Sequence, residues 1–262
     1  MPELPDVQIF KEYLDTSFLD RKIVGAGKAD TQLLQGISPE ELNRFLTGKS
    51  FISTRRYGKY LFARVAEDEF LVLHFGMTGF LRSLRKGEKI GSHVGLLLQF
   101  EDGSHLVYES RRKLGRISVT DTVERFVSGR GLGPDALELC VDGAAFAERL
   151  RGHRGSIKAL LMNQKALAGI GNVYSDEILF LMGVHPKKGA DELNNKERRT
   201  LAAKTCHVLK TAIGKHAGAD GWPQKWLLPR RKAGSACPHC SGKISRITVS
   251  GRGTYFCSGH QS

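Results

Sequence analysis

The sequence lacks long apolar stretches and has few acidic residues for the number of basic ones. No segment approaches the roughly 18 consecutive apolar residues of a transmembrane helix, so we expect none. The opening residues, MPELPDVQIF, also lack the basic start and apolar core of a secretory signal peptide. The 262 residues include 40 Lys and Arg against 27 Asp and Glu, a net charge of +13. This excess predicts a polyanionic partner, with nucleic acid favoured over a membrane surface.

Cysteine is also scarce, and its distribution is uneven. Five are present, an odd number, and three of them lie in the last 26 residues. This arrangement argues against a disulfide framework and predicts a metal site in a reducing compartment. The other two, Cys140 and Cys206, have no sequence partner that suggests catalysis. We interpret both as buried apolar side chains.

The first half of the chain has the sequence pattern of a β-rich domain. Apolar spacing predicts an amphipathic helix over about 5–19, and short β-rich runs divided by glycine and charged turns follow to about 120. Many short strands without interleaved helices predict an antiparallel sandwich or barrel. The fragment GAGKAD at 25–30 lacks the third glycine of a dinucleotide-binding loop, so we interpret it as a turn.

The second half is helical and ends in a basic tail. We predict an α+β fold with an N-terminal antiparallel β-sandwich domain at 1–128, a linker at 129–140, a helical domain at 141–216 and a zinc-binding β-hairpin module at 217–262. The stretch SIKALLMNQKALAGIGNVYSDEIL predicts helix, two tight turns and helix, with Asn172 as the cap. Amides at that helix start form an anion site, near Arg154 and Lys158. The alternative is a plain αα-hairpin with a glycine-rich turn.

The tail has the spacing of a zinc module. Cys237 and Cys240 form one pair, and Cys257 and His260 form a second pair with the same spacing. Two such pairs can close a tetrahedron of soft ligands around one Zn²⁺ ion. A redox Cys-x-x-Cys motif is the alternative, but it needs no second pair. His239 inside the first pair could compete, although the spacing favours His260.

The tip of the predicted zinc hairpin, SGRGT at 250–254, has the composition of a phosphate contact. Glycines let the backbone approach a phosphate closely, and Arg252 supplies a planar fork of donors. A generic zinc ribbon that only adapts to nucleic acid has the same features, so the tip indicates nucleic-acid contact and nothing more specific.

Six motifs occur in a characteristic order along the chain. They are PELP, RRYGKYL (55–61), LHFGMTG (73–79), GPDAL, GIGNVYSDEILF and GRGTYFC. In this order they resemble the formamidopyrimidine-DNA glycosylase and endonuclease VIII family from end to end, with PELP closer to the first branch. The resemblance implies a monomeric base-excision repair enzyme that removes oxidised bases from double-stranded DNA and cuts abasic sites. It also implies a cytoplasmic, nucleoid-associated location of the bacterial type.

The resemblance assigns chemical roles to four residues. Pro2, once Met1 is removed, is the nucleophile whose amine forms a Schiff base with the sugar, and Glu3 is the acid that helps open the sugar. A terminal amine suits this step because its ordinary pKa of ~8 leaves a neutral fraction near pH 7. Lys59 and Arg252 match the family's basic residues for the elimination steps.

The resemblance also assigns DNA contacts. Met77 matches a residue that fills the void left by the extruded base, and Leu114 stands where the family has an aromatic residue in the same role. Ordinary core packing is the alternative for both. The remaining DNA-contacting positions are His93, Arg112, Arg154, Lys158 and Asn172.

Three departures from the family pattern affect the predicted function. Asp6 replaces a glutamate and shortens a carboxylate arm near the predicted nucleophile. His260 replaces the usual fourth cysteine and should keep the metal. The segment 214–237 is short for a loop that reads 8-oxoguanine, which predicts weaker excision of that lesion than of formamidopyrimidines, oxidised pyrimidines or hydantoins. The alternative function is a catalytically silent protein that binds damaged DNA on the same scaffold.

Overall fold

The structure is a computed structural model that describes residues 1–84 and 88–262. Contacts divide the chain into two compact units, unit 1 at Met1–Arg130 and unit 2 at Gly131–Ser262, and we describe each by itself. Within the described ranges, no helix combines the length and the apolar character that crossing a membrane requires.

Unit 1 begins with a helix and continues as eight strands. Helix α1 spans Leu4–Phe18, with Pro5 in its first turn, where a missing backbone N–H costs no hydrogen bond. A second helix and a third helix flank the strands. In chain order the elements after α1 are β1 (Ile23–Ala29), α2 (Pro39–Leu46), β2 (Ser53–Tyr57), β3 (Tyr60–Ala66), β4 (Glu69–His74), β5 (Gly79–Ser83), β6 (Val94–Phe100), β7 (His105–Ser110), β8 (Arg116–Thr120) and α3 (Val123–Gly129).

The strands of unit 1 form two antiparallel four-stranded sheets. Their orders are β1-β6-β7-β5 and β2-β3-β4-β8. Side chains from both sheets and from α1 meet in one apolar cluster that includes Leu14, Phe51, Leu61 and Leu98. The burial of apolar surface between the sheets is the main term that stabilises such a sandwich. The fragment interpreted as a turn, 25–30, belongs mostly to β1, so that interpretation is wrong.

Unit 2 combines helices with one hairpin. Its elements are α4 (Ala136–Leu139), α5 (Gly143–Leu150), α6 (Ile157–Met162), α7 (Asn172–Met182), α8 (Asn195–Gly214), two short 3₁₀ turns (His216–Gly218 and Leu228–Arg230), β9 (Ser245–Val249) and β10 (Arg252–Phe256). Helix α7 is buried continuously from Tyr174 to Phe180, because α6, α8 and β10 pack around it. The predicted α+β class with antiparallel sheets is confirmed.

The two cysteines outside the tail are bonded to each other. Cys140, at the end of α4, and Cys206, in α8, form a disulfide that spans 66 residues of sequence. The interpretation of both as unbonded packing side chains is therefore wrong. Sequence spacing could not reveal the pair, because it forms only when α4 packs on α8.

Candidate functional site

The chain start places a proline beside two shielded carboxyl groups. Pro2 is half-buried, whereas Glu3 is completely buried and precedes the first turn of α1. Asp6 accepts a hydrogen bond from the backbone N–H of Glu3 at 2.9 Å. The pKa of Asp6 is raised to about 6, mainly by burial and in part by the neighbouring Glu3 carboxyl group, against the lowering effect of the hydrogen bond from the Glu3 backbone. The arrangement holds Pro2 next to two carboxyl groups, of which that of Glu3 is shielded from water.

Lys59 lies in the tight turn between β2 and β3. Arg56, which is buried, donates from Nε to Gln8 Oε1 at 3.0 Å and from Nη1 to the carbonyl of Gly58 at 3.1 Å. Because Gln8 belongs to α1, Arg56 ties the turn that carries Lys59 to the helix that begins beside Pro2. None of the sequence motifs predicted this role of Arg56. Its available signal was an inward-facing position in the alternating strand.

His74 adds a neutral ring to the same region of unit 1. Its imidazole lies 4.9 Å from the ring of Tyr60, centroid to centroid. The pKa of His74 is lowered to about 4, mainly by burial and in part by the positive charges of Lys59 and Arg116. At neutral pH His74 is therefore uncharged, and Lys59 is close enough to contribute to that state. The sequence analysis did not identify His74.

Two loops of unit 1 present the predicted void-filling side chains. Met77 is 36% exposed and Leu114 is 47% exposed, as side chains that act outside the core must be. Gly76 has φ +59°, and a Cβ there would lie 2.4 Å from the backbone carbonyl atoms of Leu114. Arg112 N donates to Thr78 Oγ1 at 3.1 Å across the same junction. The two loops are therefore fitted backbone to backbone, and core packing is not the explanation for either apolar side chain.

The other predicted DNA contacts differ in exposure. His93, Arg112 and Arg154 are exposed, whereas Asn172 is half-buried at the start of α7. Gly171 is the cap of α7, so the prediction of Asn172 as the cap is wrong. Asn172 Nδ2 instead donates to the carbonyl of Gly253 in the hairpin at 3.1 Å.

Lys158 is completely buried, in contrast to the expected surface phosphate contact. Its ammonium group is paired with Asp176 Oδ1. The other oxygen of Asp176 accepts from Arg231 Nη2 at 2.7 Å and from the backbone N–H of Tyr255 at 3.2 Å. One buried carboxylate therefore joins α6, the segment before the hairpin and strand β10. A charged pair inside the apolar helix VYSDEILF was the sequence signal for this centre.

Glu177, the next residue in α7, is also completely buried. Its carboxyl oxygens accept the backbone N–H groups of Leu227 at 3.1 Å and Leu228 at 2.8 Å. The pKa of Glu177 is raised to about 8, mainly by burial and in part by the adjacent Asp176, against the lowering effect of the two backbone hydrogen bonds. Glu177 therefore fixes the segment at 227–228, which follows the stacked rings of Trp222 and Trp226.

Three of the four predicted zinc ligands come together in the tail. The sulfur atoms of Cys237, Cys240 and Cys257 lie within 4.8 Å of one another. Gly242 N donates to Cys240 Sγ at 3.3 Å, a contact that favours a thiolate. A Cβ on Gly242 would lie 3.0 Å from Cys257 Sγ, so a glycine keeps the centre compact. The donor set suits one structural Zn²⁺ ion.

His260 is not one of the three side chains in this cluster. Its Nε2 lies 2.9 Å from the carbonyl oxygen of Phe180, which accepts the proton of that nitrogen. The ring stacks on His239 at 4.5 Å between centroids, while His239 Nε2 contacts the carbonyl of Lys225 at 2.9 Å. Each imidazole thus has one nitrogen occupied by a backbone carbonyl.

Arg252 begins β10 directly after the turn of the hairpin. Ser250 has φ 48° and Gly251 has φ 71°, the left-handed pair of a two-residue turn that suits the twist of antiparallel strands. Arg252 is exposed at this tip, as the sequence predicts. The hairpin is anchored below the tip by Tyr255, whose ring lies 4.7 Å from the guanidinium carbon of Arg231.

Family models match nearly the whole chain. Residues 1–117 match the formamidopyrimidine-DNA glycosylase N-terminal domain, residues 132–221 match its H2TH domain, and residues 234–258 match a zinc finger found in FPG and IleRS. A formamidopyrimidine-DNA glycosylase of Chloroflexus aurantiacus is 32% identical over 267 residues, covering 98% of this chain and 96% of the relative. That of Lactococcus lactis subsp. lactis is 32% identical over 269 residues, covering 98% of each.

Solved structures agree with the sequence relatives. The Lactococcus lactis protein in complex with Fapy-dG-containing DNA has a TM-score of 0.89 and 29% identity, covering 99% of this chain and 100% of that one. A MutM structure with carbocyclic 8-oxo-G-containing DNA has a TM-score of 0.89 and 29% identity over 100% of both chains. The chain belongs to the formamidopyrimidine-DNA glycosylase family of DNA-repair glycosylases.

Proposed function

We propose that the protein is a bifunctional glycosylase and abasic-site lyase that acts on oxidised bases in double-stranded DNA. The observation that carries the proposal is Pro2 beside the completely buried carboxyl of Glu3. The structures of similar proteins with lesion-containing or abasic DNA support duplex DNA as the partner. The net charge of +13 supports binding to the same polyanion.

The chemistry begins after Met1 is removed, when Pro2 becomes the terminal residue. Its neutral secondary amine attacks C1′ of the damaged nucleotide, the bond to the base breaks, and the amine proton passes to the departing base. The bond between C1′ and the ring oxygen then breaks, and the iminium ion that forms joins Pro2 to the sugar. Glu3 donates a proton to the ring oxygen as the sugar opens. Lys59 and Arg252 assist the proton transfers and phosphate departures that cut the strand. Met77 and Leu114 occupy the void in the duplex, while His93, Arg112, Arg154 and Asn172 contact DNA.

Lys158 acts in this scheme through Asp176 and not by direct contact with phosphate. Because its ammonium group is completely buried and paired, its role is to fix α6 against α7. The anion site at the start of α7 then depends on Lys158 for its shape. This assignment replaces the direct contact inferred from the sequence.

We further propose that His260 supplies the fourth zinc ligand through Nδ1. A metal-bound histidine commonly donates its other ring N–H to a carbonyl or carboxylate, which fixes the ring. The contact between His260 Nε2 and the carbonyl of Phe180 is of this kind. The zinc ion would be structural and would hold the hairpin that carries Arg252.

Borohydride trapping on an abasic duplex tests the proposed function. We expect a covalent protein–DNA adduct that disappears when one residue is added before Pro2, because the extension converts the amine to an amide. Glu3→Gln should retain the adduct on abasic DNA but lower base excision by about 100-fold or more, the usual loss when general acid catalysis is removed. Lys59→Met should slow the strand cleavage that Lys59 assists, and Lys22→Met, at an exposed lysine paired with Glu101, is its matched control.

The substrates are ranked in the same assay with duplexes that contain formamidopyrimidine, dihydrouracil, hydantoin or 8-oxoguanine. The short 214–237 segment leads us to expect 8-oxoguanine to be excised most slowly. Tight binding without an adduct on any duplex, the abasic one included, would contradict the proposed enzyme. It would support the alternative, a catalytically silent protein that binds damaged DNA.

A further inference from the structure

Leu114 is presented by an unusual backbone conformation one residue earlier. Lys113 has φ 47°, in the left-handed region that non-glycine residues seldom adopt. Leu114 follows with 47% of its surface exposed. A lysine gains nothing locally from this conformation, so contacts of its side chain or of its neighbours must maintain it.

The side chain of Lys113 is fastened to the end of strand β1. Lys113 Nζ lies 2.9 Å from Asp30 Oδ2, and 14% of the Asp30 side chain is exposed. Asp30 is itself fixed, because its N–H donates to the carbonyl of Gly95 at 2.7 Å. Its second carboxylate oxygen accepts the N–H of Gln32 at 3.0 Å. The hydrogen bond from Lys113 lowers the pKa of Asp30, so the carboxylate is charged at neutral pH.

The other side of the loop leaves little room for movement. The Leu114 carbonyl contacts Gly76, where a Cβ would lie at 2.4 Å. After Leu114 comes Gly115, where a Cβ would lie 1.7 Å from the hydroxyl of Tyr108. That hydroxyl donates to the carbonyl of His74 at 3.1 Å. The backbone of Leu114 is therefore held on one side by fixed packing and on the other by the ion pair.

We propose that Asp30 and Lys113 are positioning residues that aim Leu114 into the duplex. The inference rests on the proposed function, in which Leu114 fills the void at the lesion. Without the pair, the left-handed residue relaxes and Leu114 spends less time in the inserting position. Loss of the ion pair should therefore lower the selectivity for damaged over undamaged DNA, and it should not change the general electrostatic attraction to phosphate.

A direct phosphate contact by Lys113 makes the opposite prediction for one variant. Asp30→Asn would free the ammonium group for DNA, so binding to every duplex would strengthen or stay the same. In the positioning role, the same substitution weakens binding to lesion DNA only. Asp30→Asn therefore separates the two roles, whereas removal of the lysine alone does not.

The test measures dissociation constants for a duplex with a tetrahydrofuran abasic analogue and for its undamaged counterpart, at fixed salt. We take the ratio of the affinity for the abasic-analogue duplex to the affinity for the undamaged duplex. Asp30→Asn and Lys113→Met should each lower this ratio about 3- to 10-fold, which corresponds to a coupling free energy of about 0.6–1.4 kcal/mol. Lys113→Arg, which keeps the pair, should retain the ratio. Asp102→Asn, which removes the exposed pair with Arg21 elsewhere in unit 1, is the control.

Leu114→Ala provides the decisive background. There, Asp30→Asn should have no further effect on the ratio, because its effect passes through Leu114. If Asp30→Asn lowers the ratio by the same factor in the Leu114→Ala background, or leaves the ratio unchanged by itself, the positioning role is overturned. The void-filling role of Leu114 is unaffected by either result. An unchanged ratio in Leu114→Ala itself overturns the void-filling role of Leu114 and, with it, this inference. The proposed catalytic function is tested separately by borohydride trapping.

Discussion

Units 1 and 2 both bury apolar cores, but they use buried charge differently. In unit 1 the buried charged groups are Glu3 and Arg56, beside the candidate nucleophile and the turn that carries Lys59. In unit 2, Lys158, Asp176 and Glu177 lie between secondary-structure elements and join them. Unit 1 thus places its buried ionisable groups beside the proposed nucleophile and the turn of Lys59. Unit 2 uses ions, a disulfide and a metal site as structural links.

Removal of the metal should give the largest difference between the units. Zinc contributes about 10 kcal/mol or more to the folding of small zinc modules, so a chelator at neutral pH should unfold the hairpin and leave unit 1 folded. The measurement is metal content together with limited proteolysis, which should cut within 234–262. Cys140→Ser, a cysteine outside the cluster, should retain the metal. A chelated protein whose hairpin stays protected would contradict this division.

Reduction of the Cys140–Cys206 disulfide should have the next largest effect, and only on unit 2. A closed loop of this size, with a sequence separation of 66 between the cysteines, contributes about 4 kcal/mol by restricting the unfolded chain. Thermal unfolding followed by tryptophan fluorescence reports on unit 2 alone, since Trp222 and Trp226 are the two tryptophans of the sequence. Reductant should lower that midpoint on the order of 10 °C. The unfolding midpoint of the Cys140→Ser/Cys206→Ser variant should not change with reductant. An equal decrease of the midpoint in that variant would count against the disulfide.

A change of one pH unit should give the smallest and most selective effect. The pKa of Glu177 rises from 4.5 to about 8 on folding, so the folded state holds a proton that the unfolded state releases. Stability from this group is complete below pH 4.5 and decreases up to pH 8, by at most about 1.4 kcal/mol per pH unit. Glu177→Gln should flatten the pH dependence of tryptophan-detected denaturant unfolding. Identical slopes in both proteins would show that Glu177 does not titrate in this way.

Unit 1 should show a weaker net dependence between pH 4 and 6. The pKa of Asp6 rises to about 6, so its contribution decreases as pH increases in that range. The pKa of His74 falls to about 4, so its contribution increases with pH from about 4 to 6.5. Because the two slopes have opposite signs, they offset each other where both groups titrate.

Local patterns predicted the fold class and the sulfur part of the metal site. Helix α1, expected over 5–19, spans Leu4–Phe18. Cysteine spacing found Cys237, Cys240 and Cys257 because each knuckle is formed by residues close in sequence. Such features depend on short-range geometry, which sequence periodicity and spacing record directly.

Features that depend on tertiary packing could not be predicted in this way. The stretch 25–30 is a strand because Gly27 lets β1 lie against Leu97 and Gln99 of β6, whose side-chain atoms would be 3.2–3.3 Å from a Cβ. Glycine content alone indicates a turn. The burial of Lys158 likewise depends on Asp176 in another helix. The resemblance to the family identified Lys158 as a site residue, but it did not predict that the side chain is buried and paired.

The carboxylate of Asp176 also limits how evolution can rearrange the tail. A zinc hairpin held only by its metal could be exchanged between proteins as an independent cassette. Here Tyr255 of the hairpin and Arg231 before it both donate to a carboxylate that belongs to α7. A recombination event that replaced the chain from residue 231 onward would remove Arg231 and leave the buried Asp176 carboxylate with Lys158 but without its second cationic partner. Hairpin and helix are therefore expected to be inherited together.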